Sequence, residues 1–140
     1  MKKKSKNLLK EKVSGMTLIE LLLVLALVGI LLSMAVPKLL PLIGRTKSLE
    51  AQIQLKHLLN LQKNFFYINS KYSSDISELG FEQEKLVTND GKANYIIEVT
   101  ESNNSMFKAR ATSITDFDQD GQFNVWEIDQ DEQIKEVVKD

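Results

Sequence analysis

The chain has 140 residues, 18 basic and 19 acidic, and no cysteine. That length holds one compact domain plus an appendage, and the missing cysteine excludes disulfides, thiolate metal sites and a cysteine nucleophile. The net charge of −1 hides an asymmetry: residues 1–15 carry six lysines and one glutamate, while the remainder carries 12 basic and 18 acidic side chains. With no basic stripe along that remainder, direct nucleic-acid binding is not expected.

The first element is apolar. From Met16 to Val36 run 21 residues of which Glu20 alone is charged. As a helix they extend about 31 Å, close to the ~30 Å hydrocarbon core of a bilayer. Lys2, Lys3, Lys4, Lys6, Lys10 and Lys12 precede them, so the positive-inside rule keeps that end in the cytoplasm and exports everything after Val36. A charge inside a span costs roughly 2.5–3.5 kcal/mol on insertion scales, so Glu20 needs a reason. A secretory signal cut at Ser33-Met34-Ala35 would have an unusually long basic region and an apolar core that follows a glutamate, and an uncleaved signal anchor would leave Glu20 unexplained.

The stretch Lys12-Val13-Ser14-Gly15-Met16-Thr17-Leu18-Ile19-Glu20 closely resembles the processing signature of type IV pilins and pseudopilins. The resemblance implies that a prepilin peptidase/methyltransferase cuts between Gly15 and Met16 and methylates the new N-terminus at Met16, where the family usually has Phe. It divides the chain into a leader peptide (1–15), a transmembrane and filament-core helix (16–36), a helical stalk with a proline break (37–72) and a small β-rich exported domain (73–140). It further implies a single-pass protein of the inner membrane that leaves it for a periplasmic or cell-surface filament built with other pilin subunits, homo- or hetero-oligomeric. Glu20 then has a partner. A Met16 ammonium lies about one helical turn, roughly 6 Å, from it. In a stack of subunits the carboxylate of one meets the ammonium of the next, and either charge alone would be costly. The pair would act as a register device for assembly.

Next comes "PKLLPLIG", where Pro37 and Pro41 sit four apart ahead of Gly44. Each proline removes a helix hydrogen bond at a cost of about 3 kcal/mol. Two outcomes are open, a helix end at the membrane surface or a segment that unwinds on packing. Apolar residues then recur at helical spacing in Ala51, Leu55, Leu58, Leu61, Phe65, Ile68 and Tyr72, with Leu49, Ile53, Leu59 and Phe66 widening the stripe. This predicts a core-facing helix, with His57, the lone histidine, partly exposed on it. "NSKYSSDISELGF" ends it, with Ser74 or Asp75 capping a short turn and Gly80 terminating that turn.

Beyond Gly80 the period becomes two. Tyr95, Ile97 and Val99 share one face, as do Phe107, Ala109 and Ala111, and "FNVWEI" and "QIKEVV" complete about four short strands. The fold class is therefore α+β, a long N-terminal helix packed against a small antiparallel sheet. No nucleophile has a base partner beyond His57 and no phosphate-binding glycine loop occurs, so an enzyme is not expected. One loop carries ion chemistry. In "DFDQDGQFNVWE" Asp116, Asp118, Asp120, Gly121 and Glu127 fit the D-x-D-x-D-G-x5-E order of a calcium loop, which adds the Gln122 carbonyl and Asn124 as ligands. The flanks look extended rather than helical, which leaves Glu127 badly aimed and an acidic turn as the plain alternative. A second functional reading is a secreted or membrane-tethered calcium-binding module that never polymerises.

Overall fold

A computed structural model of the chain describes residues 15–139; the lysine-rich stretch assigned to the leader lies outside them, apart from Gly15. The elements run α1 (Leu18–Asn69), a short 3-10 turn (Val87–Asn89), then β1 (Tyr95–Ser102), β2 (Phe107–Ser113), β3 (Val125–Asp129) and β4 (Ile134–Val138). The fold is α+β, as the change of period from helical to two predicts. The chain divides into two compact units between Val36 and Pro37.

In the first unit, α1 from Leu18 to Val36 has exposed side chains throughout, and its apolar composition and length suffice to cross a membrane. In the second unit a single antiparallel sheet has the order β1-β2-β3-β4, a meander in which each strand pairs with the next. The stalk residues Ala51, Leu55, Leu58 and Leu59 are buried with Tyr95, Ile97, Phe107, Ala109, Ala111 and Ile128 in one core. Ala51, Ala109 and Ala111 are fully buried, and small side chains at facing positions let a helix lie close to a sheet.

Of the two outcomes open at the prolines, a helix end is ruled out: Pro37 and Pro41 both lie inside α1, which continues to Asn69. The hydroxyls of Thr46 and Ser48 donate back to the carbonyls of Leu42 and Gly44, each at 3.0 Å, along the turns that follow. The apolar stripe is also narrower than its sequence suggests. Leu49 and Ile53 are 56% and 67% exposed, because a two-residue offset from Ala51 turns them 200° round the helix. Ile68, one residue from the helix end, is 82% exposed. Gln62 takes a buried place instead. Its Nε2 donates to the Ser73 carbonyl at 2.7 Å and its Oε1 accepts from the Ser73 amide at 3.0 Å, holding the chain where it leaves the helix.

The connection to the sheet is built from turns. Asp75 accepts from the Ser77 amide at 2.8 Å and Gly80 (φ +74°) closes that turn. Gly91 is required by space, since a Cβ there would lie 1.9 Å from the Lys85 carbonyl oxygen. Gln83 then lies along the outer edge of β1, donating to the Tyr95 carbonyl and accepting from the Ile97 amide. A side chain in this position satisfies an edge that would otherwise invite pairing with another strand.

Candidate assembly and ion sites

At the head of α1, Thr17 and Glu20 form a reciprocal cap. The Thr17 amide donates to Glu20 Oε2 at 2.7 Å and the Glu20 amide donates to Thr17 Oγ1 at 3.3 Å. This is the capping box, in which two of the helix's orphan N–H groups are satisfied by the pair T-x-x-E. Thr17 was the missed residue here. Its signal, a threonine three residues before Glu20 at the start of an apolar run, is present in the sequence. The box gives Glu20 a local partner and turns its charge toward the residue next to Met16. A Cβ added to Gly15 would meet nothing within 4 Å, so the fold itself does not require glycine there.

The acidic loop joins β2 to β3. Asp116, Asp118 and Asp120 each present a carboxylate oxygen, and these three lie within 4.8 Å of one another. Four successive amides turn inward to the same groups. Those of Gln119 and Gly121 donate to Asp116 at 2.6 and 2.9 Å, that of Asp120 to Asp118 at 3.1 Å, and that of Gln122 to Asp120 at 2.7 Å. Gln119 (φ 66°) and Gly121 (φ +89°) supply the left-handed backbone that such a tight loop needs. Phe117 is buried in the core between two of the acids and tethers the loop. A hard divalent cation takes converging oxygens of this type, so the three aspartates fit the donor set. Gln122 lies on the same loop, with its side-chain amide donating to Asp120 at 3.2 Å.

The remaining two residues expected as ligands serve other purposes. Asn124 is 1% exposed. Its Oδ1 accepts from the Tyr95 hydroxyl at 2.8 Å and from Ser48 Oγ at 3.4 Å, while its Nδ2 donates to Glu136 and to the Val138 carbonyl. Glu127 stands on β3 opposite Arg110 and accepts from its Nε and Nη2 at 2.9 and 2.6 Å. An extended backbone after Gly121 carries both side chains into the sheet, whereas the helical exit of a calcium loop would return the glutamate to the ion.

The head of α1 is thus a capped carboxylate on an exposed apolar helix. Residues 11–36 match the family model described as "Prokaryotic N-terminal methylation motif". The chain is also 42% identical over 71 residues to "Type IV major pilin protein PilA" of Myxococcus xanthus (strain DK1622), a match covering 51% of this chain and 32% of that protein. Through this N-terminal segment the chain is similar to type IV pilins. It spans about a third of the length of the pilin it matches.

Proposed function

We propose that the chain is a structural subunit of a type IV pilus or pilus-like filament, not an enzyme. It is made as a precursor, cut after Gly15 by prepilin peptidase and methylated at Met16. It is then held in the inner membrane by residues 16–36 and packed with other pilin subunits through its N-terminal helix. The observation that carries this reading is the Thr17–Glu20 cap at the head of an exposed apolar helix, inside the matched methylation motif. In the assembled state the Glu20 carboxylate faces the methylated ammonium of a neighbouring Met16, which fixes axial register. The test is Glu20→Leu. Removing a charge from the span eases insertion, so the variant reaches the membrane at normal levels while filament yield falls. Normal filament yield would remove the assembly role of Glu20.

A second reading applies to the acidic loop of the same subunit. The convergence of three carboxylates supports a calcium ion held by Asp116, Asp118 and Asp120, with the Gln122 carbonyl as a further ligand by the order of calcium loops. The ion would neutralise their mutual repulsion and tie the β2–β3 connection. The match of residues 11–36 to the methylation motif favours this filament subunit over a calcium module that does not polymerise.

A further inference from the structure

Residues 37–49, "PKLLPLIGRTKSL", hold Lys38, Arg45 and Lys47 and no acid, whereas residues 50–140 hold 9 basic and 17 acidic side chains. An acidic domain thus begins with a short basic collar, a local feature that the overall charge conceals. Lys38 comes two residues after Val36, the last residue of the apolar run. The positive-inside rule disfavours cations on the exported side of a span, so cations there call for an anionic counterpart. Among the described residues the ion pairs are those of Lys63, Lys108 and Arg110, so none of them engages Lys38, Arg45 or Lys47.

The collar is also shaped. Lys38 and Arg45 are seven residues apart and so lie on the same side of α1. They line a cavity of about 320 Å³ with Pro41 and Leu42. Arg45 and Pro41 also line a neighbouring cavity of about 390 Å³, where Gln52, Trp126 and Lys139 face them. The one acid in that cavity, Glu136, is engaged by Asn124 Nδ2 at 2.7 Å. Guanidinium and ammonium donors gathered beside a tryptophan, with Lys38 two and Arg45 nine residues beyond the apolar run, suit the phosphate of a lipid headgroup.

We propose that this collar binds the headgroup phosphates of anionic phospholipids in the leaflet on the exported side, with Arg45 shared between the two cavities and Lys38 and Lys139 flanking it. The proposal rests on the membrane-anchor part of the function above. It gives the unassembled subunit a lipid-held docking state that must be released when the helix leaves the bilayer for the filament. Each cation near an anionic surface favours it about fivefold, and salt weakens the attraction.

Trp126 is the single tryptophan of the chain and reports on its own cavity. The full chain is placed in nanodiscs of phosphatidylcholine, or of phosphatidylcholine with about a third phosphatidylglycerol to supply the anionic surface; each carries a trace of headgroup spin-labelled lipid. Quenching of Trp126 is expected to be stronger in the anionic discs, and to return to the neutral-disc level in Lys38→Gln/Arg45→Gln while Lys71→Gln/Lys92→Gln leaves it unchanged. Equal quenching in the two lipids, with the span protected from protease, overturns the proposal alone. Loss of that protection in both lipids overturns the anchor reading with it. Competition by millimolar inorganic phosphate would reassign the collar to a free anion. Quenching that follows copies per disc rather than lipid charge would reassign it to the acidic face of a second copy. Either result overturns the lipid assignment.

Discussion

Asn124 shows how a single residue separates a structural role from an ionic one. By spacing it belongs to the calcium order, yet its amide joins the helix (Ser48), β1 (Tyr95) and β4 (Glu136, Val138). Removing one member of such a buried set leaves its partners unsatisfied, at roughly 1–3 kcal/mol for each group stranded. Asn124→Ala is therefore expected to destabilise the sheet unit by about 2–3 kcal/mol, by the same amount in calcium and in chelator. A loss seen only in calcium, measured by thermal unfolding, would return Asn124 to the ligand set. Trp126 is the opposite case, since its buried indole N–H has no acceptor among the described residues. Its contribution is the packing of its ring on the partly buried margin of the core.

At the scale of elements, the alternation of Tyr95-Ile97 and of Phe107-Ala109-Ala111 was legible because one face of each strand is buried and strand period two admits no other assignment. The helix was legible in kind and imprecise in rotation. Leu49 and Ile53 are apolar yet exposed, so hydrophobicity alone could not separate them from Leu55 and Leu58. Gln62 was hidden for the converse reason, because its burial depends on a hydrogen-bonding partner, Ser73, 11 residues away. The calcium template matched five positions, and the extended pattern after Gly121 already set Glu127 apart from the rest; on β3 it pairs with Arg110 instead.

One tie between elements is electrostatic. Lys63 on α1 donates to Glu132 in the β3–β4 turn. The hydrogen bond from Lys63 holds the Glu132 carboxyl below its ordinary 4.5, and that same bond raises Lys63 above its ordinary 10.5. The pair's contribution is thus complete at neutral pH. It is lost in acid as pH falls through the lowered value of Glu132, and in alkali as pH rises through the raised value of Lys63. Both groups are exposed, so the effect on stability is small and screened by salt. Lys63→Met is expected to move the Glu132 titration, followed by carboxyl carbon NMR, back up toward 4.5. An unmoved titration would show that the pair does not persist in solution.

The whole molecule joins an apolar helix, which no part of its own unit covers, to a thin sheet domain without a disulfide. A core of this size is marginal, and the acidic loop is where an ion would add most. Calcium at 100 times its Kd would stabilise the folded state by about 2.7 kcal/mol. The full chain in detergent is therefore expected to melt higher in millimolar calcium than in chelator, and Asp118→Ala to abolish the difference. Equal melting temperatures would leave the loop as an acidic turn held by its own amides. The proposed anchoring, register and assembly all require a new N-terminus one residue beyond Gly15. The direct measurement is mass spectrometry of the N-terminal peptide of the protein isolated from cell membranes and shed filaments. The account predicts a peptide beginning at N-methylated Met16, replaced by the uncut precursor in Gly15→Val. A wild-type chain beginning at Met1 or Val36, or a Gly15→Val chain of mature size, would contradict it.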